Sequence, residues 1–379
     1  MIHVETLEGT PRGLRDFLRL PTRLYRKDAN WVEQLSRTQV RALLDATSPL
    51  NRGEHAFLVA YDDDRPVSRV LVGIDERLNA YLHEKRGYIW LFETAENIEY
   101  ARAVLDAATD FLRQRGMTRV VGPTRPAAPG MNDMAVGLLL EGFDSAPMLF
   151  SPYNPPFYNE YFEAYGFAKH RDTYAYRLCL KDFPIARYRQ LSDMAMKRFT
   201  FTVEDVSLRR GNPEQLADQI ARVLRDADPS EWEQAPATRE DILRELNALL
   251  YYETPELIVM AFAGDRPLGL FAILPEFSRA ARARGDNPFP LGRLSLRWLR
   301  KRVNAARCGL MLVSPDYRNK AVGVAMAAYA FERATQMGIR EIEAAAIEET
   351  SVQGIVSTER TGARRSRVYR QYSMSIADR

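Results

Sequence analysis

Residues 307–347 read "RCGLMLVSPDYRNKAVGVAMAAYAFERATQMGIREIEAAAI". The apolar run 307–314 is a buried strand ending at Val313, residues 321–338 are a helix closed by Gly338, and 340–347 are the next strand. Between the first strand and the helix lies "SPDYRNK". The first N–H groups of a helix have no carbonyl to bind and sit at the positive end of its dipole, so this junction is a seat for phosphate oxygens. Arg318 and Lys320 add mobile positive charge, and Gly323 and the small Ala321 let a ligand approach the backbone. Such loops usually carry glycine where this one has Ala321. An alanine there costs little if φ is negative and is strained if φ is positive. The plainer reading is a strand-to-helix turn with two solvated cations.

Working outward, "ELIVMAFAGDRPLGLFAIL" (256–274) is a strand, a Gly-Asp-Arg-Pro turn and a strand, and "SRVYRQYSM" (366–374) is a final strand. The first half of the chain has the same order. "AFLVAYDDDRPVSRVLVGI" (56–74) is a hairpin, "GYIWLFET" (87–94) a strand, and 95–116 an amphipathic helix. "TRVVGP" (118–123) is a short buried strand, 154–167 a helix and "TYAYRLCL" (173–180) a strand. The turns "DDDRPV" and "AGDRPL" lie about 200 residues apart and suggest duplicated modules. The expected fold is α/β, with two modules of mixed, mostly antiparallel sheet flanked by helices, divided as 1–184 and 185–379. The phosphate seat is expected in the second module only. In the first, "YIWLFET" runs into "AENIEY", acidic and without glycine.

Composition narrows the class. The 379 residues exceed one ordinary core, and 46% hydrophobic with 27% charged residues is a globular composition. The net charge of +3 makes no case for nucleic acid. Cys179 and Cys308 lack any CxxC or CxxH spacing, so no metal site is expected and both read as reduced thiols. The first twenty residues have acids and no apolar core, unlike a secretory signal, and no apolar stretch approaches the roughly 20 residues of a membrane span. A cytoplasmic protein is expected, with peripheral contact at the inner membrane face as a further reading.

That further reading rests on "NPFPLGRLSLRWLRKRVN" (287–304), which carries Arg293, Arg297, Arg300, Lys301 and Arg302 and no acid. As a helix it puts Leu291, Leu294 and Trp298 on one face, which fits an interfacial segment on anionic headgroups. It fits equally an insertion packing its apolar side on the module.

Arg318-Asn319-Lys320-Ala321-Val322-Gly323 resembles the signature of the GNAT acyltransferase superfamily: Arg or Gln, two residues, Gly, one residue, then Gly or Ala. Longer stretches, among them 24–35, 53–61, 131–167 and 287–298, are similar to two-module bacterial GNAT proteins that include ceramide synthase-like acyltransferases. The resemblance implies an acyl-CoA co-substrate and no permanently bound cofactor. Its pyrophosphate would lie on Arg318, Asn319, Lys320, Ala321, Val322, Gly323 and Val324, and its pantetheine arm along Leu312 and Val313. It also implies N-acyl transfer from the thioester to a primary amine, most sharply a long-chain sphingoid base of sphingolipid biosynthesis.

The family's usual Asn and Tyr fall on Thr350 and Thr358 in the second module; in the first, Asn154 is kept and Phe162 replaces the Tyr, with Tyr161 beside it. Glu348 and His55 are the candidate bases, against a surface carboxylate and a hydrogen-bonded strand histidine. Asn132, Asp133, Asn154 and Tyr158 are expected on the acceptor side. Two other functions fit the same pattern: a catalytically silent double module that binds coenzyme A or a small amide, and a transferase using aminoacyl-tRNA.

Overall fold

A computed structural model describes residues 1–31, 43–126, 136–148, 151–206, 212–226, 233, 235–252, 257–277 and 302–377. They form two compact units.

The first unit begins with β1 (Ile2–Leu7), α1 (Arg15–Leu24), β2 (His55–Asp62), β3 (Arg65–Ile74), α2 (Glu76–Leu82) and β4 (Arg86–Thr94). It continues with α3 (Ile98–Arg113), β5 (Arg119–Gly122), β6 (Leu138–Glu141), α4 (Phe157–Tyr165) and the start of β7 (Ala168–Cys179). β1 to β4 are an antiparallel meander and β5 is parallel to β4. Alternation sorts the side chains. Leu58, Val70 and Val72 meet Val104, Leu105 and Leu112 of α3, whereas Phe57, Val59 and Leu71 meet Leu14 and Phe17 on the other face.

The second unit takes up the rest of β7, α5 (Ile185–Phe199), β8 (Thr202–Asp205), α6 (Pro213–Asp226), α7 (Arg239–Tyr252), β9 (Ile258–Ala263) and β10 (Arg266–Pro275). β11 (Ala305–Val313), α8 (Val322–Gln336), β12 (Glu341–Glu348), α9 (Val352–Glu359) and β13 (Arg364–Ser375) follow. Its strand order is β7-β12-β11-β10-β9-β8, with β11 parallel to β12 and antiparallel to β10. α5 and α8 share a core with Val259, Ala261, Leu268, Phe271 and Ile273.

The chain divides at residues 173 and 174, within β7, and not at 184 and 185. Pro184 marks the start of α5, a helix boundary that in sequence looks the same as a module boundary. From Arg367 onward β13 belongs to the first unit, pairing with β5 at Tyr372↔Gly122 to Ser375↔Arg119 and with β6 at Val368↔Glu141. Its Tyr372 and Met374, with Ile376 just beyond it, complete the first core.

Candidate active site

β11 and β12 pair only from Ala305↔Glu341 to Cys308↔Ala344, although β11 runs to Val313 and β12 to Glu348. A bulge sets them apart. Ala272 and Ile273 of β10 face Leu310 and Cys308, so Gly309 is an extra residue that bends β11. Beyond it, the β11 edge toward β12 has N–H groups that a carbonyl oxygen could use.

β11 ends in a loop tied at three points. The Ser314 N–H donates to the Leu268 carbonyl (2.7 Å), its hydroxyl donates to Asp226 (3.3 Å), and Asp316 receives a two-pronged bond from Arg266 (2.9 and 3.3 Å). Pro315–Tyr317 make one 3₁₀ turn, and Ala321 stands at the helix N-cap with φ 57° and ψ 22°. The alanine that replaces glycine is therefore in the left-handed region, the strained alternative of the two that the sequence leaves open.

Among the described residues no side chain caps α8, and its first backbone bond runs from the Ala325 N–H to the Ala321 carbonyl (3.0 Å). The N–H groups of Val322, Gly323 and Val324 have no acceptor among the described residues. Arg318 and Asn319 are exposed, and the Lys320 ammonium lies 4.0 Å from the centre of the Tyr317 ring. A β-carbon on Gly323 would meet nothing nearer than Met311 Sδ at 3.5 Å and Val313 Cγ2 at 3.7 Å. Packing alone thus leaves room for a larger residue; a ligand lying on the amides would not. Leu312 buries its side chain, so it can offer an arm-like ligand only its backbone.

The first unit builds the same junction and then closes it. β4 carries its own bulge, with Leu91 at φ 53°, and pairs with β5 only from Arg86↔Arg119 to Tyr88↔Val121. Here Asn97 caps the helix, its side-chain oxygen accepting the Glu99 N–H (3.0 Å), and Glu99 stands in the first turn. The seat is filled by the chain's own atoms.

Beside it is a polar cluster absent from the sequence reading. Glu93 Oε2 accepts the hydroxyls of Tyr25 (2.7 Å) and Tyr158 (3.0 Å), and Tyr158 also accepts the Thr94 N–H (2.7 Å). Burial and the Glu93 charge push both phenols well above their usual range, which keeps them protonated donors. Tyr158 is wholly buried, and Asn154 gives its amide group to the Leu139 and Pro155 backbones. These two of the four residues expected on the acceptor side spend their polar atoms inside the chain. Glu93 gave no signal because its partners lie 68 and 65 residues away.

His55 opens β2, half-buried, with its ring edge-on to Phe57 (5.8 Å between centroids). Glu348 ends β12, half-buried, at the end where β12 has left β11. Thr350 is exposed, and Thr358 lies on α9 with its carbonyl accepting the Thr361 hydroxyl (2.6 Å). A neutral hydroxyl of this kind cannot replace a phenol as an acid near neutrality. Burial pushes the Cys308 thiol up to about 12, so it is no nucleophile. Asn132, Asp133 and residues 287–301 of the basic stretch lie outside the described residues. Among the described residues no cluster of His, Cys, Asp or Glu is arranged to hold a metal ion, and no helix is long and apolar enough to cross a membrane.

Residues 217–354 match the Acetyltransferase (GNAT) family. A protein named Bacterial ceramide synthase from Caulobacter vibrioides (strain NA1000 / CB15N) is 26% identical over 377 residues, covering 97% of this chain and 96% of that one. Protein YghO of Escherichia coli (strain K12) is 25% identical over 378 residues, covering 96% and 93%. Among solved structures, a tandem GNAT protein from the clavulanic acid biosynthesis pathway superposes with a TM-score of 0.60 at 11% identity, over 99% of both chains. That likeness is one of fold. Residues 217–354 thus match a GNAT acetyltransferase domain, in a chain that is similar over nearly its full length to a bacterial ceramide synthase and whose fold is like that of a tandem GNAT protein.

Proposed function

We propose that the chain transfers an acyl group from an acyl-CoA thioester to a primary amine, and that the amine is a long-chain sphingoid base. The observation that carries this is the contrast between the two junctions. The N-terminus of α8 is uncapped, with open amides at 322–324 and Arg318 and Lys320 beside it, whereas Asn97 occupies its counterpart. The relative named as a ceramide synthase supports the lipid amine. So do large exposed apolar side chains on β11 and on the helix after β12, namely Met311, Val352 and Val356.

In this reading the pyrophosphate lies on the Val322–Val324 amides and the thioester follows the unpaired edge of β11. The edge N–H groups polarise the carbonyl. The ammonium first loses a proton to a base, for which Glu348 stands in the same unit as the seat and His55 is the alternative. The amine nitrogen then attacks the thioester carbon, the C–S bond breaks, and the amine's second proton is lost as the coenzyme A thiolate takes one up. With Thr358 in place of a phenol, that final protonation falls to solvent or to the group that took the first proton.

The test is thiol release from long-chain acyl-CoA with and without sphingoid base. Release that depends on the base supports the proposal; failure to bind either short or long acyl-CoA at micromolar concentration refutes it. Thr358 favours one competing reading, a double module that binds coenzyme A without turnover. Tight binding with no product over a broad amine panel would establish that reading instead.

A further inference from the structure

The loop that leads to the seat contains an acid, Asp316, two residues before Arg318. A carboxylate in that place opposes the anion the loop would hold. Its charge is met by Arg266, the first residue of β10, through the two-pronged bond at 2.9 and 3.3 Å. The same guanidinium lies 3.6 Å from Asp226, which also accepts the Ser314 hydroxyl. One arginine thus stands between two acids and holds the loop from the strand side. The bonds engage both Asp316 oxygens, which fixes the direction of the carboxylate as well as its charge.

The first unit gives an internal comparison. Its matching turn carries Arg65, but Asp62 there accepts the Tyr100 hydroxyl (2.7 Å) and the terminal ammonium, and the helix that follows is capped by Asn97. Among the described residues, the duplicated Arg-Pro turn reaches across to the strand-to-helix loop as a fork only in the unit whose seat is open.

We propose that Arg266 is a positioning residue for acyl-CoA: it neutralises Asp316 and turns it aside, so that the loop presents net positive charge to the pyrophosphate. The inference rests on the reading of α8 as the coenzyme A seat. Removing Arg266 leaves two unmatched acids beside the phosphates. Removing Asp316 as well takes one of them away again, so the second substitution repairs the first.

The experiment measures coenzyme A binding by calorimetry, and turnover with acyl-CoA and with the corresponding acyl-pantetheine, which lacks the pyrophosphate. The proteins are wild type, R266A, R266K, D316N and the double variant R266A/D316N, each checked by thermal melting. R266A is expected to weaken coenzyme A binding by roughly tenfold and to raise KM for acyl-CoA with kcat little changed. Its KM for acyl-pantetheine stays near wild type. R266K, which keeps the charge without the fork, recovers part of the loss, and R266A/D316N recovers most of it. Added salt shrinks the R266A defect.

Unchanged affinity in R266A overturns the proposal. So do equal losses with both thioesters, or a double variant no better than R266A, since a merely structural clamp gives those results. If wild type itself does not bind coenzyme A, the seat assignment fails, and this inference fails with it.

Discussion

Ala321→Gly tests the backbone reading at the centre of the site. Ala321 is held at φ 57°, where a β-carbon crowds the carbonyl oxygen and costs about 1–2 kcal/mol. Glycine removes that strain but adds about 0.4–1 kcal/mol of unfolded-chain entropy. The net expectation is a gain of about 0.5–1 kcal/mol. For a unit of this size, 1 kcal/mol moves Tm by about 2–4 °C, so the variant should melt about 1–4 °C higher. Urea titration should show a higher midpoint with an unchanged slope, because the surface exposed on unfolding is the same. The amides at 322–324 keep their directions, so coenzyme A affinity should stay within about threefold of wild type, under 1 kcal/mol. A variant that melts at or below the wild-type temperature would refute the left-handed assignment. A large change in affinity without a change in stability would mean that the alanine methyl itself touches the ligand.

Gly323→Ala should do the reverse. The site has space for a methyl group and a helical alanine is favoured over glycine by about 0.5–1 kcal/mol, so melting should hold or rise while coenzyme A binding falls by roughly tenfold. Replacing Glu348 by Gln should lower kcat by about 10²–10⁴ if it is the base, with the same loss in His55→Ala pointing to the histidine instead. The Asp172 carboxyl gives a pH signature in the first unit. Burial alone would push it up, but bonds from Arg370 (2.8 and 3.0 Å) and Lys169 outweigh that and hold it below its usual range. A depressed carboxyl contributes stability above its unfolded pKa of about 3.9 and loses that contribution as pH falls through the folded value. Asp172→Asn should therefore melt lower than wild type at pH 7, and the gap should close in acid; a gap independent of pH would contradict the ion pair.

The parts legible in the sequence were those written in local pattern. The hairpins around "DDDRPV" and "AGDRPL" were marked by their turns, and α8 by its apolar spacing and Gly338. The loop 314–320 was marked by its cations and by the glycine at 323. What escaped was carried by single backbone angles and distant partners. No side-chain pattern distinguishes an alanine at φ 57° from one in an ordinary turn, so the effect of the missing glycine could only be stated as two cases. Asn97 was visible, but that its oxygen fills the helix start follows from its rotamer. Asn154 and Tyr158 were expected on the acceptor side, Asn154 because it falls where the family usually has Asn; here they bond the Leu139 and Thr94 backbones. Arg266 and Asp316 lie 50 residues apart, and only the antiparallel return of β11 along β10 makes them neighbours.

The exchange of β13 bears on the order in which the molecule can be assembled. During translation the ribosome must produce the entire second unit before it reaches Arg367, the start of the segment that supplies Tyr372, Met374 and Ile376 to the first. Until then β5 lacks a neighbour on one side, and the nascent first unit has an unpaired strand edge of the kind that invites association with other chains. The second unit has most of its own strands in hand by that time. The later-made half is thus free to mature first, and truncations or fusions near residue 370 would be felt as damage to the half made earliest.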